Sequence, residues 1–544
     1  LFRSRKFLKE AVPVKISLAG ANCIMKNFIR ILALLLACLF CVCCFAACKP
    51  KEDGPKGGGS DDGTHIGEDG KKYDSMGKLM DDLPSDLNYR GERIKVLYWA
   101  DVEKPEFEQS EEVDDSRMSA IYNRNLAIQQ RLGVSLKFSS VNGNAGNRAG
   151  FVKTVEDAMN SGLHDYDIIG TYSRTAGTMV TKNLCYDLST VKADNYIDLE
   201  KPWWPDHLTD YMMIGKSVYF LSGDISITVI DEVHAIYFNK QLVDEQFEEE
   251  AQNEGVENGT KLLYKYVREG TWTIDKLISM SSGFYEDLDR NGTESINDRY
   301  GFVSVNYCET ALYGSAGLRM LVHDDTEVLK ISNDYTSART ASLVQRLGTW
   351  MSTGTVYNRT DEDYYAKPFI NGNALFILQY LELAEDYLIG TDTVAHYGIL
   401  PCPKYDETQP SYYSVIGNAF TIYTVFSDFD QRGDKEQTLS MFTAILECWA
   451  SEGYRKTTPI VFELNMQLKY SETQDETDMC EYVRAGIVFD LGRILDAALA
   501  NVSMDGSVIS AAESNADWTS TYSAHYESAQ NNLAEFIKAL NPTA

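Results

Sequence analysis

Between residues 92 and 173 the chain alternates in a way that few architectures accommodate. "ERIKVLYWA" is a mostly apolar run ending near Trp99 and predicts a buried strand. "DSRMSAIYNRNLAIQQRLG" follows, with apolar residues at helical spacing, Asp115 or Ser116 able to cap it and Gly133 to end it. "VSLKF" predicts a second strand, "RAGFVKTVEDAMNSG" a second helix stopped by Gly162, and "YDIIGTYS" a third strand. Strand, helix, strand, helix, strand in that order implies parallel βαβ units with right-handed crossovers. Such sheets bind ligands beyond the carboxyl ends of their strands. Here those ends carry Trp99, Asp101, Thr171 and Tyr172.

At 544 residues the chain exceeds one small core, so two or three packed units are expected. The balance of 50 basic against 80 acidic residues gives a net charge of −30, which opposes binding to nucleic-acid phosphates. It suits an extracellular or cell-surface setting. No G-x-S-x-G, HExxH or P-loop pattern occurs. Asp224 and Asp231 are the acids considered as a hydrolytic pair. The cysteines at 185, 308, 402, 448 and 480 are scattered, without zinc spacing, and predict buried free thiols.

The stretch from Met25, "MKNFIRILALLLACLFCVCCFAACKPKEDG", has a basic start, an apolar run and small residues before Cys48. That order is a secretory signal. Its end resembles a bacterial lipobox, which implies that Cys48 becomes the lipid-bearing first residue. Residues 1–24 are expected to be over-extended translation, 25–47 the lipoprotein signal peptide, and 48–90 a flexible tether rich in Gly, Asp and Lys.

Four further stretches follow in order. They are "AIYFNKQL" (235–242), "GTWTIDKL" (270–277) with Thr273 as a helix cap, "FINGNALF" (369–376) and "YGILPCPK" (397–404). Together these resemble the extracellular solute-binding proteins of ABC importers, of the maltose- and oligosaccharide-binding type. Phe376 stands where that family usually has Met, and the chain is longer than typical members. The resemblance implies an α/β, two-lobed periplasmic-binding-protein-like fold with inter-lobe crossing strands and a ligand cleft. Lobe 1 is expected over 91–228 and 374–415, and lobe 2 over 229–373 and 416–544. It implies no enzymatic activity. The expected role is capture of a solute, a carbohydrate above all, by lobe closure. Delivery would be to ABC permease subunits, by a monomer lipid-anchored on the outer face of the bacterial membrane. The alternatives are a secreted glycan-active hydrolase and a sensory or adhesive binding lipoprotein.

Sugars present apolar faces and hydroxyl edges, so aromatic platforms with acids beside them are the residues to look for. The candidates are Trp99, Asp101, Tyr172, Ser173, Trp203, Trp204, Asp224, Tyr380, Tyr412 and Tyr413, chosen from strand ends and aromatic loops.

One acidic stretch, "DLDRNGTESIND", fits a calcium loop. Asp287, Asp289, Asn291, the Thr293 carbonyl, Ser295 and Asp298 fall at its ligand positions, with Gly292 at the turn. Asp in place of the usual last Glu, and Glu294 at a normally apolar position, depart from the pattern. A single structural calcium ion pinning a loop is the expectation.

Overall fold

The computed structural model describes residues 63–205, 212–358, 365–388, 396–429, 433–466, 473–496, 499 and 504–540. The expected signal segment, the start at Met25 and the lipidated Cys48 lie outside the described residues. The chain divides into two compact units, one ending at Ser75 and one running from Met76.

The described part of the first unit is a small hairpin, His65–Ile66 antiparallel to Lys72–Tyr73. Gly67 and Gly70 close its turn, with the Gly70 N–H donating to the Gly67 carbonyl at 3.0 Å. Within the tether expected over 48–90, residues 65–73 thus carry a folded hairpin. From Met76 the chain belongs to the second unit, where Leu83 is buried and Asp81 is held by Arg131 at 2.6 Å and by the Ser451 hydroxyl at 2.9 Å. Leucines at 79, 83 and 87 supply the apolar surface that a free linker lacks.

The second unit is built on two sheets. In chain order its main strands are β1 (Glu92–Trp99), β2 (Val134–Val141), β3 (Ile168–Tyr172), β4 (His234–Asn239), β5 (Arg299–Val303), β6 (Val356–Tyr357), β7 (Ala374–Tyr380), β8 (Tyr397–Leu400) and β9 (Thr421–Val425). The first sheet has the order β9-β3-β1-β2, with β1, β2 and β3 mutually parallel and β9 antiparallel at its edge. The second has the order β6-β5-β7-β4-β8, with β4 running against both of its neighbours. Two α/β lobes result, each centred on one sheet.

Local chemistry sets the first sheet's crossovers. Helix α1 (Ser116–Leu132) starts where the Asp115 carboxylate accepts the Met118 N–H, and ends at Gly133 in the left-handed conformation, φ 62°. Helix α2 (Arg148–Ser161) ends the same way at Gly162. Strands β3, β4 and most of β7 are buried on both faces, which is why their sequences read as unbroken apolar runs.

The lobe boundaries differ from the expected ones. The sequence places residues 374–415 in lobe 1, yet β7 and β8 pair within the second sheet, on either side of β4. Conversely β9 and helix α3 (Lys435–Glu452) belong with the first sheet, β9 by pairing with β3 and α3 by packing on α1. The cause is β4: an antiparallel strand offers two edges, and both apolar strands after Gly372 and His396 fill them. The chain enters β4 from a short helix, Thr228–Asp231.

The five cysteines of this unit are free and buried, as expected. No helix among the described residues is long and apolar enough to cross a membrane.

Candidate functional site

The strand ends build one large cavity, of about 700 Å³, between the two sheets. From the first lobe come Trp99 and Asp101 at the end of β1, and Tyr172 at the end of β3. From the second come Gln379 and Tyr380 at the end of β7, with Glu382 just beyond. Of the ten residues expected at the site, four meet here: Trp99, Asp101, Tyr172 and Tyr380.

Their roles differ from simple platforms. The Trp99 indole is fully buried and donates to Thr421 Oγ1 at 2.8 Å, so it forms the floor beneath the cavity. Tyr172 leans against it, ring centroids 5.5 Å apart. Asp101 accepts the backbone N–H groups of Gly143 (2.6 Å) and Asn144 (2.9 Å) and the Asn147 amide (2.9 Å). It thereby fixes the loop entering α2. Tyr380 stacks with Tyr307 at 6.3 Å, and Tyr307 meets Tyr365 edge-on at 6.0 Å.

The other six lie elsewhere. Trp203 and Trp204 are buried, and their indole N–H groups donate to the two oxygens of Glu447 at 2.9 and 3.0 Å. They anchor a loop onto α3. Asp224 lines a second, smaller cavity of about 310 Å³ and accepts the Thr458 hydroxyl at 2.7 Å. Burial pushes its carboxyl up to about 6. The Ser173 hydroxyl is committed to the Asn418 carbonyl at 2.5 Å, and the Tyr412 hydroxyl to the Val267 carbonyl at 3.0 Å. Tyr413 lies under the Arg319 guanidinium, 5.1 Å from the ring centre. Asp231 is likewise unavailable to pair with Asp224 in hydrolysis. Arg117 holds both of its oxygens, at 2.8 and 2.9 Å.

Three acids that the sequence reading passed over are central. Carboxylate oxygens of Glu103, Glu232 and Glu382 lie within 4.8 Å of one another. The β4–β7 register explains two of them. The β4–β7 pairing ends at His234 and Tyr380, and two further bonds hold the chain beyond it, the Leu381 N–H on the Val233 carbonyl and the Glu382 N–H on the Asp231 carbonyl. Glu232, in the turn between the short helix and β4, and Glu382, just past the end of β7, are thereby brought side by side. Like charges so close are unfavourable. Burial first, and then the neighbouring acids, hold both carboxyls well above the usual range. The signal for this was present in the sequence only as an acid two residues before one apolar strand and another just after a second.

His234, beside Tyr380 at 4.5 Å between ring centres, is a packed core residue. Its Nδ1 meets the Val415 carbonyl at 2.7 Å, and burial lowers it to about 3.

The acidic loop of residues 287–298 closes a hairpin between strand Tyr285–Glu286 and β5. Asp287, Asp289 and Asp298 each bring an oxygen to within 4.8 Å of the others. Asp287 accepts the Gly292 N–H at 2.8 Å and Asp298 the Ser295 N–H at 2.8 Å, wrapping the backbone inward, and Gly292 takes φ 74° at the turn. The donor set is hard oxygen throughout, which fits calcium.

No family model and no curated protein matches the chain. It is similar in fold to solved solute-binding proteins. One is a cyclo/maltodextrin-binding protein complexed with maltotetraose, at 14% identity, TM-score 0.49, covering 83% of this chain and 98% of the other. A second is a cyclic alpha-maltosyl-1,6-maltose binding protein from Arthrobacter globiformis, at 13% identity and TM-score 0.49, covering 82% and 99%. A third is an extracellular solute-binding protein from Staphylococcus aureus in complex with maltose, at 11% identity and TM-score 0.49, covering 85% and 100%.

Proposed function

We propose that this chain is the solute-capturing component of an ABC importer, tethered to the outer face of the cell membrane through a lipid on Cys48. The observation that supports it is the cavity. Strand ends of two separate sheets converge on about 700 Å³ lined by tyrosines, acids and amides, a size suited to a sugar or short oligosaccharide. Lobe closure would seal the solute in, and membrane permease subunits would receive it. A carbohydrate is the favoured solute class, because tyrosine rings match sugar faces and carboxylates and amides match hydroxyls. Asp287, Asp289, Asn291, the Thr293 carbonyl, Ser295 and Asp298 are proposed to hold one calcium ion as a brace on the second lobe.

The test is a thermal-shift and calorimetric screen over mono- and oligosaccharides, with product analysis on the same samples. Saturable binding without product supports capture. Release of shorter sugars would replace this reading with hydrolysis. Retention of the Cys48→Ser variant at the membrane would refute the lipid anchor.

A further inference from the structure

The cavity is more acidic than a neutral sugar requires. Among its described lining residues five are acids, and none is Lys, Arg or His. Two of the five have partners: Asp101 holds the α2 loop and Asp386 is paired with Lys104. Glu103, Glu232 and Glu382 form no ion pair among the described residues. Glu232 is 3% exposed, and the contact described for its carboxylate is a long one, 3.4 Å from the Ala419 N–H to Oε2. Its Oε1 has no described partner. Gln379, 6% exposed, uses its side-chain oxygen on the Tyr380 N–H at 2.7 Å and on Cys308, while its Nε2 has no described partner. Both residues line the cavity, so Glu232 Oε1 and Gln379 Nε2 are hydrogen-bonding groups left for a solute there.

Beside the acids stand tyrosine rings set both parallel and edge-on, Tyr380 against Tyr307 and Tyr307 against Tyr365. Ring faces attract organic cations, and carboxylates attract them more strongly. A bare metal ion uses neither the rings nor so large a space, since calcium closes six to eight oxygens around itself.

We infer that the solute of this cleft carries a protonated amine, held by Glu103, Glu232 and Glu382 against the Tyr307–Tyr380 rings; an amino sugar combines that charge with the hydroxyls Gln379 would meet. The inference rests on the solute-capture reading above and names the class of solute.

It has a signature beyond affinity. The acids crowd one another, with Asp231 and Asp386 adding negative charge and Arg493, Lys104 and Arg117 countering it from neighbouring segments. Glu232 and Glu382 therefore hold protons before a solute arrives. An arriving cation favours their ionised form and expels protons to the buffer, whereas a neutral sugar does not.

The probes are a glucosamine disaccharide, its N-acetylated counterpart, maltose and spermidine, by calorimetry at pH 7 in two buffers of different ionisation enthalpy. The expected result is binding of the glucosamine disaccharide with proton release, and weakening by roughly tenfold or more in Glu382→Gln and Glu103→Gln. Glu232→Gln is expected to bind less well yet melt higher without probe, because folding no longer has to protonate a buried carboxyl at pH 7. That pairing separates a binding role from a structural one. Binding of spermidine alone would uphold the charge inference and refute the carbohydrate class. Equal binding of maltose or the N-acetylated sugar, without proton release, would overturn the charge inference and leave solute capture standing. Failure of both cationic probes overturns the inference. So does protection by calcium that is lost in Glu382→Gln and kept in Asp287→Ala.

Discussion

Arg117 offers the sharpest test of how the two lobes are tied. It sits in the first turn of α1, and its guanidinium takes Asp231, just before β4, with two bonds of 2.8 and 2.9 Å. The side chains are 3% and 2% exposed. A third bond reaches Glu385, after β7, at 2.8 Å, where exposure is 25%. Arg117→Met removes the charge and keeps much of the volume. Asp231 then loses its guanidinium partner in a buried setting, for which the expected loss is about 3–5 kcal/mol. The half-open Glu385 contact adds about 1 kcal/mol at most. In urea unfolding followed by tryptophan fluorescence, a slope of about 3 kcal/mol/M or more turns this into a midpoint drop near 1 M. The double variant Arg117→Met/Asp231→Leu is expected to recover at least half of the loss, because an apolar pair of similar size replaces a desolvated ionic one. A single variant within about 1 kcal/mol of the parent, or a double variant no better than the single, would refute the claim that this is a desolvated tie.

Three further outcomes are expected. Calcium in hundredfold excess over its Kd should raise stability by about 2.7 kcal/mol, and Asp287→Ala should abolish the rise in melting temperature. Glu309 is buried, and burial pushes its carboxyl up to about 8. Its contribution is complete below the unfolded value near 4.5 and is lost as pH rises toward 8, at up to about 1.4 kcal/mol per pH unit; Glu309→Gln should flatten that part of the stability profile. A β-carbon at Gly417 would press on Glu232 Oε2 and come within 2.7 Å of the Tyr380 ring, so Gly417→Val should abolish solute binding in calorimetry while Gly150→Ala, with open space around it, should not.

Much of the fold was legible because its signals are local. Asp115, Gly133, Gly162 and Thr273 cap or end their helices where the sequence places them, since a cap needs only a side chain and the next three residues. The acidic hairpin loop was legible for the same reason. What failed was long-range. Trp203 and Trp204 read as ligand contacts in an aromatic loop, but Glu447, more than 240 residues later, takes both indole N–H groups inside the core. The lobe assignment of β7 failed because nothing in an apolar run says which sheet will take it. Glu232 and Glu382 were lost among 80 acids, and only the close of the β4–β7 pairing, just short of both, brings them together.

The buried cysteines have a practical consequence. Burial raises the thiols of Cys185, Cys402 and Cys480 to about 12 and those of Cys308 and Cys448 further, so none presents a thiolate to solvent at neutral pH. In a chain beginning at residue 63, a cysteine introduced on the surface of each lobe would be the reactive thiol for maleimide dyes, with the native five left in place. A donor on one sheet's outer helices and an acceptor on the other's would then report hinge motion by energy transfer, molecule by molecule, as solute is added.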